Sequence, residues 1–248
     1  MENENQLVIS TCLLAGKIMM ESGSEGYRIE DTMQRIALNS NIQDANAFVM
    51  ATGIMMTIND SSQAQLVQAK NRSNNLNKII QTNELSRLYA IRKITLEEFY
   101  QKLIDIDQLS TSHSQYSRVI ASGIASVALM LLFGGVLSDS IFTFFLGSMG
   151  YFISEYVFMR YRIKFINDLI ASIFLAIFAT ALFSSGLISN LDNVIMGCIM
   201  PLVPGVALTS AMRDLFEGQL ITGLIRMVEA ILISFVIGIG IALIIMLF

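Results

Sequence analysis

Two prolines in the middle of a long apolar stretch constrain this chain more than any other feature. They are Pro201 and Pro204, the only prolines in the sequence, and Gly205 follows them. Each proline lacks a backbone N–H and crowds the carbonyl four residues earlier, so the carbonyls of Gly197 and Met200 are expected to lose their helical partners. Inside a bilayer, such a break is tolerated only where protein or a water-filled cavity covers it. The pattern therefore predicts either the broken helix of a transport site or a proline kink used for packing.

The carboxyl-terminal half of the chain is apolar enough to cross a membrane several times. Residues 118–248 carry 13 of the 36 charged side chains, and residues 1–117 carry the other 23. About 20 apolar residues are needed to cross a bilayer core of roughly 30 Å. Five segments reach that length, at about 119–137, 140–159, 169–188, 191–212 and 222–247. The sequence therefore predicts a membrane protein whose residues 118–248 form an all-α bundle of five transmembrane helices.

The distribution of basic residues predicts the orientation of these spans. The basic residues that flank them are Arg118, Arg160, Arg162, Lys164 and Arg213. The opposite loops, at 138–139 and 189–190, contain no Lys or Arg. By the positive-inside rule, the amino terminus is cytoplasmic and Phe248 is extracytoplasmic in a multi-pass protein of the plasma or inner membrane. The polar amino terminus, Met-Glu-Asn-Glu-Asn, predicts that no signal peptide is present.

Residues 1–117 are expected to form a cytoplasmic α+β domain. Apolar residues recur at helical spacing in 7–21, and Gly23 follows as a stop signal. Thr95-Leu96-Glu97-Glu98 is a capping-box pattern at the start of a later helix. Further helices are predicted at about 27–39, 75–89 and 95–106, one or two strands within 47–59, and another strand at 65–69.

Residues in both halves resemble the threonine/serine exporter family. In the apolar half the resemblance is carried by Leu202-Val203-Pro204-Gly205, Ala211, Asp214, Gly218, Thr222-Gly223 and Arg226. In the amino-terminal half it is carried by Gly16, Gly23, Glu25, Arg28-Ile29-Glu30, Thr52, Arg72, Asn75-Leu76, Ile79 and Thr95-Leu96-Glu97-Glu98. One departure is Ala51, which stands where many members of the family are expected to have proline.

The chain resembles the large subunit of a split exporter, which has a cytoplasmic domain and five spans. The resemblance implies secondary export of a small carboxylate-bearing metabolite, with threonine or serine as the first expectation and a dicarboxylate such as succinate as the alternative. The implied partner is a small all-membrane subunit. An odd number of spans with opposite-facing ends also fits one half of an inverted repeat, so a homo-oligomer is the other possibility.

Other classes of function have less support in the sequence. No Walker-type phosphate-binding motif is present, and the single histidine, His113, lies in a polar linker. No catalytic set can be assembled around it, so the chain is not expected to be an enzyme. With only two cysteines, no cofactor or metal is expected. The net charge of −4 gives no indication of nucleic-acid binding. A membrane-anchored sensor or scaffold is the alternative of another class.

Candidate site residues follow from the break and from charges close to the membrane. A charge at the centre of a membrane helix costs about 2.5 to 3.5 kcal/mol, so it is retained where it is paired or faces a cavity. We expect Arg226 to neutralise a substrate carboxylate, and Glu155 or Glu229 to carry a proton from the gradient that drives export. The alternative is that all three side chains snorkel to the headgroups. The residues predicted to line the transport pathway are Pro201, Pro204, Gly205, Thr209, Asp214, Gly218, Gly223 and Arg226.

The broken helix is also expected to supply partial charges. The half-helix that follows the break would direct its unpaired N–H groups and its positive dipole end toward a substrate carboxylate. The carbonyls freed at Gly197 and Met200 would suit an ammonium group. Together the two ends could hold a zwitterionic amino acid, whereas a dicarboxylate would depend more on Arg226.

Overall fold

The computed structural model describes residues 2–58, 64–69, 73–109, 114–161 and 165–247. Six residues on which sequence predictions rest lie outside this part, namely Met1, Arg72, His113, Arg162, Lys164 and Phe248. The chain divides into two compact units. The first combines Met1–Thr111 with Thr209–Met227, and the second combines Ser112–Leu208 with Val228–Phe248.

The segment Thr209–Met227 is where this division differs from the one expected from composition. This segment groups with the amino-terminal residues, and the predicted domains at 1–117 and 118–248 stay a prediction. The reason is chemical, because polar side chains of the segment bond to residues 24–49. We call Thr209–Met227 the α9–α10 segment, after the two helices that contribute to it, α9 (Gly205–Phe216) and α10 (Leu220–Ile245).

The described residues in the amino-terminal part of the first unit form four helices and a small sheet. The helices are α1 (Glu2–Glu21), α2 (Gly26–Asn39), α3 (Leu76–Ala90) and α4 (Leu96–Gln108), and the strands are β1 (Ala45–Met50), β2 (Gly53–Ile58) and β3 (Gln65–Gln68). The strands are antiparallel in the order β1-β2-β3, with Phe48 opposite Met55 and Met55 opposite Leu66. The helices and strands predicted for this part of the sequence are thus present.

Helix α1 lies at the centre of the first unit's apolar core. Its residue Ile18 is fully buried, as are Met33 of α2, Ile54 of β2 and Phe99 of α4. The predicted capping box at the start of α4 is confirmed: the Glu98 N–H donates to Thr95 Oγ1, and the Thr95 N–H donates to a Glu98 carboxylate oxygen, each at 3.2 Å. These contacts bury one face of each helix against the sheet or against α1.

In the apolar half, the described residues form six helices and one short 3-10 turn. They are α5 (Gln115–Leu132), the 3-10 turn Leu137–Asp139, α6 (Ser140–Tyr161), α7 (Ile166–Ser184), α8 (Leu191–Ile199), α9 (Gly205–Phe216) and α10 (Leu220–Ile245). Among the described residues, four helical stretches are long and apolar enough to cross a membrane: Gln115–Leu132, Leu137–Tyr161, Ile166–Ser184 and Leu220–Ile245. The chain is therefore a mostly helical, multi-pass membrane protein with one small sheet.

The predicted span at 191–212 is two shorter helices. Helix α8 has 9 residues and helix α9 has 12, so neither reaches the length of a span alone. The chain turns between them: the N–H of Val203 donates to the carbonyls of Ile199, at 3.1 Å, and Met200, at 3.2 Å. The expectation of a free carbonyl at Met200 was therefore wrong, because the turn after Pro201 brings a new N–H donor to it.

Asp139 connects two loops of the second unit, and the sequence analysis treated it only as a loop residue. Its side chain is almost completely buried, and one carboxylate oxygen accepts from the N–H groups of Ser189, at 2.9 Å, and Asn190, at 3.2 Å. The other oxygen accepts from the Ser138 hydroxyl at 3.0 Å. The carboxylate thus joins the turn before α6 to the start of α8.

Helix α8 packs against α5 at a distance that only glycine allows. A Cβ atom on Gly197 would lie 2.6 Å from the backbone oxygen of Ser126 and 2.6 Å from the Cβ of Met130. The first of these neighbours is backbone and cannot rotate away. The position of the first half of the broken helix therefore depends on Gly197.

Gly197→Ala should destabilise the protein by about 1–3 kcal/mol, because the added methyl group forces α5 and α8 apart. Gly238→Ala is the matched control, since a Cβ on Gly238 of α10 meets nothing within 4 Å. The measurement is the thermal unfolding midpoint of the full chain in detergent. Equal midpoints for the two variants would show that the α5–α8 contact does not hold the break in place.

Candidate functional site

The turn between α9 and α10 is set by a glycine in the left-handed region. Gly218 has a φ of 84°, and its N–H donates to the Leu215 carbonyl at 3.2 Å. The N–H of Gln219 donates to the Asp214 carbonyl at 2.8 Å. This is the Schellman pattern, which ends a helix and satisfies its last carbonyls. Gly218 therefore directs the chain from α9 into α10.

A second glycine lets the two helices approach closely after the turn. A Cβ on Gly223 would lie 2.8 Å from Leu215 Cγ and 2.9 Å from the Leu215 backbone nitrogen. No larger residue fits there without moving α9 away from α10. As a result Asp214, near the end of α9, and Arg226, in the second turn of α10, reach each other.

Asp214 and Arg226 form a buried ion pair. Asp214 is 0% exposed and Arg226 is 9% exposed. An Nη atom of Arg226 donates to one Asp214 carboxylate oxygen at 2.8 Å, and the backbone N–H of Gly26 donates to the other at 2.9 Å. The second Nη atom of Arg226 donates to the Ser24 carbonyl at 3.3 Å. Both charges are thus surrounded by protein groups of the first unit.

The amino terminus of α2 suits the Asp214 carboxylate electrostatically. Gly26 is the first residue of α2, where unpaired N–H groups and the positive end of the helix dipole favour an anion. Without Arg226, the buried carboxylate would keep the Gly26 N–H as a donor and lose its opposite charge.

A second set of bonds surrounds this pair. Glu30 of α2 accepts from the backbone N–H of Val49 at 3.0 Å with one carboxylate oxygen, and from the Gln219 amide at 2.6 Å with the other. The Thr222 hydroxyl donates to the Val49 carbonyl at 3.2 Å. Glu30 of α2 and Thr222 of α10 therefore hydrogen-bond to the backbone N–H and the backbone carbonyl of Val49 in β1.

Glu25 completes the set at the edge of the site. Its carboxylate forms an ion pair with Arg213 of α9 and another with Arg28, the latter at 3.3 Å. Arg213 and Arg28 are both about half exposed, so these two pairs are screened by solvent more than the Asp214–Arg226 pair. Five residues of the α9–α10 segment thus bond to residues 24–49, namely Arg213, Asp214, Gln219, Thr222 and Arg226.

The structure brings four of the predicted pathway residues together. Asp214, Gly218, Gly223 and Arg226 all lie in the α9–α10 segment, and their surroundings include Glu25 and Glu30 of the family pattern. Thr209, which is exposed, begins the same segment. Arg226 donates to protein acceptors here, and its role as the cation for a substrate carboxylate stays a prediction.

The other predicted pathway residues lie in the second unit. Pro201 and Pro204 are half-buried in the turn between α8 and α9, and Gly205 is exposed at the start of α9. The N–H of Leu208 donates to the Pro204 carbonyl at 3.0 Å, so the helix resumes directly after the second proline.

The two proton-carrying candidates have different surroundings. Glu155 of α6 forms an ion pair with Arg118 of α5, and its other carboxylate oxygen is buried with no hydrogen-bond partner in the described part of the chain. Glu229 is half-buried in α10. Arg226 and Glu155 each have a protein ion-pair partner, and the sequence did not indicate which residue that partner is.

The described residues contain no group of three or more His, Cys, Asp or Glu side chains that could hold a metal ion.

Sequence reasoning missed the partners that complete the site, chiefly the Gly26 N–H, the Ser24 carbonyl and both backbone groups of Val49. No residue type signals a backbone partner in a sequence. Ser24 and Gly26 do lie beside two residues of the family pattern, Gly23 and Glu25, and that was the available signal.

Comparisons with known proteins identify the family of the chain. The family model described as "Putative threonine/serine exporter" matches residues 10–248. A curated relative from Escherichia coli (strain K12), named "Probable succinate transporter subunit YjjP", is 21% identical over 246 residues, which cover 98% of this chain and 96% of that protein. The protein of the same name from Klebsiella aerogenes is 21% identical over 251 residues, covering 98% of this chain and 94% of that protein.

No solved structure matches the chain significantly. The family match extends over both units. The two relatives are named as transporter subunits, and the chain matches almost their whole length. The chain therefore belongs to the threonine/serine exporter family, a family of membrane transporters.

Proposed function

We propose that this chain is one subunit of a two-component secondary exporter that moves a small carboxylate-bearing metabolite out of the cell. The observation that carries the proposal is the helix broken at Pro201 and Pro204, between α8 and α9, in a chain of apolar helices. A break that exposes helix ends is costly in lipid and useful in a substrate site. The family match and the relatives named as transporter subunits support the same reading.

The proposal includes a topology of five crossings. Helices α8 and α9 together cover Leu191–Ile199 and Gly205–Phe216, which as a pair supply the length that neither has alone. The bias of Lys and Arg to one set of loops supports a cytoplasmic amino terminus and an extracytoplasmic carboxyl terminus in the plasma or inner membrane. Such a half lacks the second wall of a transport cavity, which favours a small all-membrane partner subunit, or else a homo-oligomer.

This topology predicts that an alkaline phosphatase fused after Phe248 is active in intact cells, because that enzyme folds only outside the cytoplasm. The same reporter fused at Ser138 should also be active, and one fused after Arg118 should be inactive. A reporter fused after Phe248 that is active only in a cytoplasmic format, such as β-galactosidase, would show that the number of crossings is even.

Two substrate classes remain open within the proposal. The names of the relatives support a dicarboxylate such as succinate, whereas the description of the family supports threonine and serine. The start of α9 would face a carboxylate in either case, because the amino-terminal end of a helix favours an anion. With the Met200 carbonyl bonded to Val203, the break offers an ammonium group fewer acceptors than the sequence suggested, which favours the dicarboxylate.

The proposed substrate site is the break itself, with Pro201, Pro204, Gly205 and Thr209 closest to the substrate. The α9–α10 segment, with Asp214, Gly218, Gly223 and Arg226, continues the pathway along the chain. Glu155 or Glu229 is the proposed carrier of the coupled proton. A membrane-anchored sensor or scaffold, the rival class, has no need for a broken helix.

Vesicles that contain this chain and its small subunit should release preloaded succinate faster when a proton gradient is imposed. In Glu155→Gln or Glu229→Gln, whichever residue carries the proton, the stimulation by the gradient should disappear while exchange without a gradient persists. Threonine and serine loaded in parallel vesicles identify the cargo. Vesicles with either subunit alone are the control and should release little.

No release of succinate, threonine or serine from vesicles with both subunits would refute the exporter proposal. Full release from vesicles that contain this chain alone would refute the two-component reading, unless cross-linking showed a homo-oligomer. Gradient stimulation that survives in both glutamine variants would remove both residues as proton carriers.

Pro204→Ala should reduce efflux about tenfold or more, because residue 204 would regain its N–H and α9 could extend toward α8, which narrows the site. Membrane insertion should be unchanged, since a longer uninterrupted helix spans a bilayer more readily. Met212→Ala is the matched control, because Met212 lies in the same helix α9 and its side chain is exposed. Efflux is measured at equal membrane abundance, and near-normal efflux in Pro204→Ala would reduce the break to a packing kink.

A further inference from the structure

We infer that Asp214 and Arg226 are positioning residues that anchor helix α9, the second half of the broken helix, to residues of α2 and of the loop before it. The inference rests on the proposed transport function and assigns the amino-terminal residues a part in it. In this assignment the two side chains belong to the segment that continues the proposed pathway, and neither binds the substrate. It replaces the expectation that Arg226 neutralises a substrate carboxylate. Their function is to hold the end of α9 at a fixed place while the start of α9 forms one side of the break.

Asp214 and Arg226 both have protein partners of opposite charge or complementary hydrogen-bonding groups. Asp214 accepts from Arg226 and from the Gly26 N–H, and it is 0% exposed. Arg226 donates to Asp214 and to the Ser24 carbonyl, and it is 9% exposed. A substrate carboxylate would therefore have to enter a buried site and replace a protein carboxylate that is already there.

A second observation is the continuity of the helices. Helix α9 runs without interruption from Gly205, next to the break, to Phe216, two residues after Asp214. Gly205–Leu208 belongs to the second unit and Thr209 onward to the first. A continuous helix of 12 residues transmits a displacement of one end to the other. An anchor at Asp214 therefore constrains the start of α9 through the helix itself.

A third observation is the number of independent bonds at the anchor. Besides the ion pair, Gln219 donates to Glu30 at 2.6 Å and Thr222 donates to the Val49 carbonyl at 3.2 Å. Thr222 is almost completely buried. Both bonds join the α9–α10 segment to other protein residues, Glu30 and Val49. They therefore add to the attachment that the ion pair provides.

A substrate-binding role and a positioning role for Arg226 predict different kinetics. A residue that binds substrate raises the substrate concentration needed for half-maximal efflux when it is replaced. A positioning residue lowers the maximal efflux rate and leaves that concentration nearly unchanged. If Arg226 is a positioning residue, neutralising Asp214 as well should restore part of the lost rate. The loss in the single variant then comes from a buried charge that has lost its opposite charge.

The experiment compares Arg226→Gln, Asp214→Asn and the double variant in vesicles that contain both subunits. Each single variant should lower the maximal efflux rate about tenfold or more, with the half-maximal concentration within about twofold of wild type. The double variant should recover roughly threefold or more over Arg226→Gln, since asparagine still accepts from the Gly26 N–H and no buried charge remains. Arg226→Lys should lie between wild type and Arg226→Gln, because lysine keeps the ion pair and loses the Ser24 contact.

A milder pair of variants covers the case in which the single charge variants fail to fold. Thr222→Val removes the hydroxyl that bonds to Val49 and keeps the shape of the side chain, whereas Thr222→Ser keeps the hydroxyl. Thr222→Val should lower the maximal rate about twofold to fivefold, and Thr222→Ser should match wild type. The half-maximal concentration should be unchanged in both.

Hydrogen exchange supplies a readout that does not depend on transport. In the purified full chain, amides of the α9–α10 segment should exchange faster in Arg226→Gln and Thr222→Val than in wild type, and should be partly protected again in the double variant. If wild type exports neither succinate nor threonine, the proposed function fails while this exchange pattern still tests the anchor.

Three results would overturn the inference. One is a raised half-maximal concentration in Arg226→Gln that the double variant does not correct, which assigns Arg226 to the substrate. Another is Arg226→Lys that transports no better than Arg226→Gln. The third is an unchanged exchange pattern in the α9–α10 segment of every variant.

Discussion

The buried carboxylate of Asp214 is the group on which the arrangement of the first unit depends. A carboxylate removed from water must be paired and hydrogen-bonded, or it takes up a proton. Here the two donors come from distant parts of the chain, Gly26 at the start of α2 and Arg226 in α10. Removing Arg226 leaves the buried carboxylate with the Gly26 N–H and no opposite charge, which is more costly than never forming the ion pair. This requirement joins the amino-terminal helices and the α9–α10 segment into one compact unit.

The two helices on either side of the proline break have separate contacts with the rest of the protein. Pro201 and Pro204 separate α8 from α9, so each half can be held by different neighbours. Gly197 lets α8 pack closely on α5, and Asp214 fastens α9 near its other end. The break lies between these two attachments in the sequence.

Much of the local structure could be predicted because it depends on neighbouring residues. The capping box at Thr95 and Glu98 formed as its spacing indicated, and the strands within 47–59 and at 65–69 appeared where β-branched and apolar residues cluster. The helix break fell at the prolines. The free carbonyl at Met200 was predicted wrongly, because proline rules describe what a helix loses, whereas the turn that follows supplied the N–H of Val203. That replacement depends on the path of the chain after the break.

The sequence by itself determined the apolar helices, the place of the break, the small sheet and the family, because each of these follows from composition, from spacing or from a pattern along the chain. Only the tertiary structure decided what the charged residues do. Arg226 and Asp214 are 12 positions apart, and Gly26 is 188 positions from Asp214, so nothing along the chain relates them. A charge near a membrane helix can face lipid headgroups, a substrate or another side chain. The choice among these depends on which groups the fold brings within hydrogen-bond distance, and here it brought a carboxylate, a guanidinium and a helix terminus together.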